Sequence, residues 1–219
     1  MSDATLSPLD PGASRRFAVA TAATVAAWLA AVVALGAAGT FRAAPAAAPA
    51  AMLLAIVAPP AIFLFLMRLP TFRAQILAID PVWLAAVQGL RIVGAGFLIA
   101  YAFGHLSGVF AHPAGWGDVL VGPLAPFVAA RLARDPSFLR SSWLWRFHAL
   151  GMLDFAGAVG SGLLARAGLA HLADGTPATA ALGQFPLLLI PAFAVPLWIC
   201  LHVAAFAQIR EARARGRRL

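Results

Sequence analysis

The sequence predicts an all-α, polytopic transmembrane helical bundle of six spans with both termini on the cytoplasmic side. Three observations carry that prediction. Of 219 residues, 62% are hydrophobic and only 11% charged, with a mean hydropathy of +0.87. A soluble domain carries about 25% charge, and a water-soluble fold of this length has too little interior to hide so much apolar surface. The apolar residues fall into runs near the length of about 20 that a helix needs to cross a bilayer. The arginines fall between those runs.

Residues 1–16 read as a short disordered cytoplasmic tail. Arg15 and Arg16 precede the first run, Phe17–Gly39. That run exceeds the roughly 7–15 residues of a secretory h-region, so it reads as a retained helix. A proline-rich connection leads to the second span, Ala51–Met67, where Pro59 and Pro60 predict a kink. The third span, Trp83–Leu106, contains Gln88 and Arg91. The fourth, Asp118–Leu132, is short and holds Pro123 and Pro126, as expected of a tilted, broken or re-entrant segment. The fifth is Phe147–Gly168 and the sixth Phe185–Ile209, interrupted by Pro191 and Pro196; residues 210–219 form a basic cytoplasmic tail.

Orientation follows from charge. Six spans place thirteen of the sixteen basic residues on one side, leave Arg42 and Arg166 on the other, and bury Arg91 within a span. The basic side is the cytoplasmic one. All sixteen are arginine, and alanine and proline are abundant, which points to a GC-rich coding sequence and a bacterial source. The net charge of +8 is accounted for by this orientation, so nucleic acid is not expected as a partner. The expected partners are the lipid bilayer, a small solute or protons, and other membrane subunits. Trp83, Trp143, Trp145 and Trp116 fall near the span ends, as interfacial anchors do, whereas Trp28 and Trp198 are expected to pack between helices. Gly96, Ala100 and Gly104, and likewise Ala156 and Gly160, form small-residue ridges that admit close helix approach. Cys200, the single cysteine, reads as a buried inert thiol.

Two polar clusters stand out. Arg91 lies about 12 Å into the third span, and Asp154 and His202 lie about 10 Å into the fifth and sixth from the same side. Charge at such depth faces protein or water. Gln88 sits one turn from Arg91, and His148 lies nearer the interface. An Arg91–Asp154 ion pair that locks the bundle, snorkelling of Arg91, and a proton-relay or anion-contacting site with His202 beside the pair are the readings open here. The outer cluster comprises His105, His112 and Asp118, with Asp118 expected to cap the fourth helix and Gly115 and Gly117 to form a turn. His171 and Asp174 fall on the same side. The spacing matches no strong metal motif. Gln88, Arg91, Ala95, Ala102 and His105 are expected to share one face of the third helix, a path between the clusters. Haem is the cofactor to weigh, with His148 and His202 the better-matched axial pair. No nucleotide loop, nucleophile elbow or zincin helix is present, so enzymatic activity is not indicated.

The stretches LRIVGAGFLIAYAFGHL, AHPAGWGDVLVG and PLLLIPAFAVPLWICLH resemble uncharacterised multi-pass membrane proteins of bacteria, over about half of the chain. The resemblance implies a bacterial inner-membrane location and brings no catalytic residues with it. Three functions remain open at this point: a small-solute or proton-coupled carrier using Arg91, Asp154 and His202; a structural or accessory membrane subunit; and a haem- or quinone-linked redox protein.

Overall fold

A computed structural model describes residues 11–42, 49–169 and 179–216, and every regular element among them is helical. His171 and Asp174 lie outside the described residues. Helix α1, Pro11–Ala37, begins before the expected span, so residues 11–16 are its first turns rather than part of a disordered tail. It ends at Gly39, whose φ of 79° lets Thr40 N–H reach Leu35 O and Gly39 N–H reach Gly36 O, both at 3.0 Å. This paired closure needs a left-handed residue, which glycine supplies without a Cβ clash.

Helix α2, Ala50–Leu66, runs through Pro59 and Pro60. Helix α3, Pro70–Leu77, follows at a bend of 104°. The carbonyls near the end of α3 are answered from a distance: Gln208 Nε2 donates to Ile79 O at 2.6 Å and to Ile76 O at 3.3 Å.

The third column is broken in the middle. Asp80 caps α4, Pro81–Ala86, through Val82 N–H at 2.8 Å. A 3₁₀ segment, Val87–Gly94, then leads into α5, Ala95–Ala102. Three residues per turn stack positions i and i+3. Ala85, Gln88, Arg91, Gly94, Phe97 and Ala100 are accordingly the buried line. The expected face through Ala95, Ala102 and His105 does not form, because it assumed α-helical winding throughout. Gly104, with φ 73°, closes α5 as Gly39 closes α1, and its neighbour His105 donates its N–H to Ala100 O at 2.8 Å.

Helix α6 runs unbroken from Gly108 to Arg134, 27 residues, and its N-cap is Ser107, which accepts from Val109 N–H at 3.2 Å. The expected start at Asp118 is therefore corrected: Asp118 lies mid-helix and caps nothing. Gly115 and Gly117 resemble turn residues in sequence, but both are helical. Leu98 packs onto Gly115 and Asp154 onto Gly117. Ser141 caps α7, Ser142–Leu164, by accepting from Leu144 N–H at 3.1 Å. A π-helical turn, Ile190–Ala194, opens α8, Val195–Gly216, so the first residues of the expected basic tail are helical.

Four helical stretches among the described residues are long and apolar enough to cross a membrane: Arg15–Ala37, Pro81–Ala102, Ser142–Ala167 and Ile190–Gly216. The bent pair α2 and α3 makes a fifth if it counts as one span. Helix α6 has the length but carries Asp118, Arg131 and Arg134. Trp198 is 5% exposed and stacks on Phe155 at 6.4 Å, and Trp28 lies 4.7 Å from Phe193, whereas Trp83, Trp116, Trp143 and Trp145 are exposed. Of the anticipated small-residue ridges, the first is buried only at Ala100, which packs with Phe97 and Phe110, while nothing lies within 4 Å of a Cβ built on Gly104. The second does not carry packing: nothing lies within 4 Å of a Cβ built on Gly160, and Ala156 is exposed. Contact falls instead at Gly94, Gly115, Gly117, Gly122 and Gly151.

Candidate functional site

The polar centre is built on Arg91, whose side chain is 0% exposed. Its 3₁₀ segment points it between α6, α7 and α8. Nε donates to Asp118 Oδ1 of α6 at 2.7 Å, and Nη2 donates to Asp154 Oδ2 of α7. Nη1 donates to Gly151 O and to His202 Nε2, each at 3.3 Å. The guanidinium carbon stands 4.0 Å from the centre of the Phe155 ring, a cation–π contact. These bonds account for four of the five N–H donors of an arginine. Both carboxylates are nearly enclosed, at 4% and 7% exposure.

The centre extends into a histidine pair. His148 Nδ1 and His202 Nδ1 are 2.8 Å apart, with ring centres at 5.0 Å. A guanidinium donates and never accepts, so His202 Nε2 must present its lone pair to Arg91. A neutral His202 then carries its proton on Nδ1 and donates it to His148 Nδ1. His148 in turn carries its proton on Nε2. The contact with Arg91 thus fixes both tautomers, and the bonds run in one direction from Arg91 through His202 to His148.

Arg91, Asp118, Asp154 and His202 each rest against a glycine of another element. A Cβ on Gly94 would overlap the Asp118 carboxylate, and one on Gly117 would overlap that of Asp154. A Cβ on Gly151 would stand 2.5 Å from His202 Nε2 and 2.7 Å from Arg91 Nη1. Gly122 brings the backbones of α6 and the 3₁₀ segment together, its Cβ position lying 3.0 Å from Ile92 N. The volume that side chains would fill is given to the ion network.

The structure gathers Arg91, Asp154, His202 and His148, and it moves Asp118 into their company. Asp118 belongs to this centre and not to an outer cluster, because its helix begins at Gly108, ten residues before it. The signal was present in Ser107, a capping residue from which Asp118 is about 16 Å along a helix. His105 and His112 are exposed, and His112 lies edge-on to Tyr101 at 4.6 Å. Gln88 is fully buried with neither side-chain polar atom hydrogen-bonded. Among the described residues no group of three His, Cys, Asp or Glu is placed to hold a metal ion. The histidine pair does not fit an axial haem pair as it stands. Axial nitrogens each sit about 2 Å from the metal, which requires a gap of about 4 Å with a macrocycle between them, whereas His148 and His202 bond to each other. A separate apolar cavity of about 770 Å³, open mouth included, is lined by Met52, Ile56, Phe97, Phe110, Val159 and Val195 among others and by none of these polar residues.

A family model described as a domain of unknown function (DUF8737) matches residues 48–210. The chain belongs to that family. The matched DUF8737 region contains every residue of the Arg91 centre and excludes α1. No curated protein and no solved structure matches the chain.

Proposed function

We propose that the chain is a bacterial inner-membrane protein of six spans, with both termini cytoplasmic, a small-solute or proton-coupled carrier that binds and moves a proton through the Arg91 centre. One observation carries the reading: a single enclosed guanidinium holds two carboxylates from different helices. One positive and two negative charges leave an excess buried charge, which is costly in a low-dielectric interior. Binding one proton makes the centre neutral. In the empty state Arg91 grips both carboxylates and in the protonated state only one as an ion pair, so the two states differ in how firmly α6 is tied to α7. A ligand that distinguishes two packings shifts their balance. The broken third column and the π turn before α8 are discontinuities of the kind that line sites in carriers. Movement of Arg91 Nη1 frees His202 Nε2, the one position at which that ring accepts a proton, and His202 Nδ1–H leads on to His148.

Six crossings follow if α6 is counted. Its 27 residues span about 40 Å, ample for a core of about 30 Å, and its buried charge is answered by Arg91. Phe103, Phe127, Leu153 and Leu54 point outward at 67–74% exposure, which suits a lipid surround. The arginine distribution sets the orientation.

A structural reading is favoured by the completeness of the Arg91 bonding, which would also serve a subunit whose ion network only fastens helices. Proteoliposomes holding an internal pH-sensitive dye separate the two. Arg91→Met alone abandons two buried carboxylates and should cost about 3–5 kcal/mol. The triple variant Arg91→Met, Asp118→Asn, Asp154→Asn removes every charge and should fold. Under an inside-negative potential the wild type should acidify the lumen and the folded triple variant should not. Equal rates in the two would reduce the centre to a lock.

A further inference from the structure

The arginine-rich end of the bundle carries an open cleft of about 850 Å³, the solvent at its mouth included, lined by Trp145 of α7 and Phe206, Ile209, Arg210 and Arg213 of α8. We propose that this cleft is a binding site for the headgroup of an anionic phospholipid. The assignment rests on the membrane part of the reading above and not on proton coupling.

Four features point to that ligand. First, the cleft has a split chemistry: an aromatic and aliphatic floor of Trp145, Phe206 and Ile209, with two guanidinium groups beside it and no carboxylate in the lining. A phosphate joined to glycerol and acyl chains has the same division. Second, the nearest acid in sequence is engaged elsewhere, since Glu211 binds Arg73 at 2.9 Å and Arg215 at 3.2 Å. Third, Arg213 is positioned in advance. Its Nε donates to Arg140 O at 3.0 Å and its Nη2 to Ser141 O at 2.8 Å, which ties α8 to the turn before α7 and leaves Nη1 with no acceptor among the described residues. Arg210 is exposed. Fourth, the surroundings have the character of a membrane interface. Trp143 and Trp145 are 67% and 46% exposed, and Arg146 lies over the Trp143 ring at 5.1 Å. Exposed tryptophan beside arginine suits headgroup depth, and basic pockets between helices on the cytoplasmic side suit anionic headgroups. The Phe206 ring, 6.0 Å from both Trp145 and His148, separates the cleft from the histidine pair.

Tryptophan quenching by brominated lipids in reconstituted vesicles tests the site. The Trp145 component is taken as the difference between the full-length protein and its Trp145→Phe variant. Brominated phosphatidylglycerol, added as a minor component of phosphatidylcholine vesicles, should quench that component. Brominated phosphatidylcholine at the same fraction should quench it far less. Arg210→Gln should weaken the apparent affinity by about fivefold, as expected for one arginine near an anionic headgroup. Arg68→Gln, which removes an exposed arginine far from the cleft in sequence and outside its lining, should leave the affinity unchanged. Equal quenching by the two lipids, or an equal loss in Arg68→Gln, would overturn the site. Vesicles made wholly of brominated phosphatidylcholine report embedding itself. If they quench no tryptophan, the membrane reading falls and the lipid site falls with it; if they quench while the phosphatidylglycerol preference is missing, only the site falls.

Discussion

Arg91 and Gln88 are neighbours on one 3₁₀ face and meet opposite fates. The arginine is satisfied by four hydrogen bonds and an aromatic ring, while the glutamine is buried with both polar atoms unbonded. An amide buried without partners costs about 1–3 kcal/mol on protein scales. Gln88→Met keeps the volume and removes the polar atoms. It should raise thermal stability in detergent by the equivalent of about 1 kcal/mol; a drop in melting temperature would mean that the amide has a partner in the working protein. The residue types at the centre were legible in the sequence, because an arginine, an aspartate and two histidines within apolar runs are conspicuous. The place of Asp118 in mid-helix is hidden in the sequence, because HPAGWGD has the composition of a turn. Glycine signifies either freedom of φ or closeness of approach, and one sequence does not say which. Gly104 and Gly117 have opposite answers.

At the scale of the element, close approach does the positioning. A glycine in a helix interior ordinarily costs about 0.5–1 kcal/mol relative to alanine. Gly157 and Gly160 face open space, so alanine there should stabilise by about that amount. Gly117→Ala and Gly94→Ala should instead destabilise by about 1–3 kcal/mol or more, because a methyl group would occupy the place of a carboxylate. Thermal melts of the four variants check this, and a similar sign at all four positions would contradict it. Helix existence was readable from apolar runs and from caps such as Asp80 and Ser141. The 3₁₀ winding of Val87–Gly94 was not, because its cause is tertiary. The short repeat aligns Gly94 with Arg91 and so lets α6 press Asp118 against it. Nor was the Gln208 bridge to α3, whose partners lie more than a hundred residues away.

For the whole molecule, α6, α7, α8 and the broken third column converge on one charge centre, and the DUF8737 match covers all of them. The all-helical architecture followed from composition, because a chain this apolar must satisfy its backbone internally. The union of both carboxylates at one arginine depended on how the helices are arranged, which hydropathy does not encode. The central claim is that two carboxylates around one guanidinium hold an exchangeable proton. Infrared difference spectra of the full-length protein in lipid, acid minus alkaline, test it directly. The wild type should show the carbonyl band of one protonated carboxylic acid, shifted in heavy water. Asp118→Asn and Asp154→Asn should each abolish it, since either leaves a one-to-one pair that is neutral without a proton. A folded wild type lacking the band, or a band that survives both substitutions, would contradict the account.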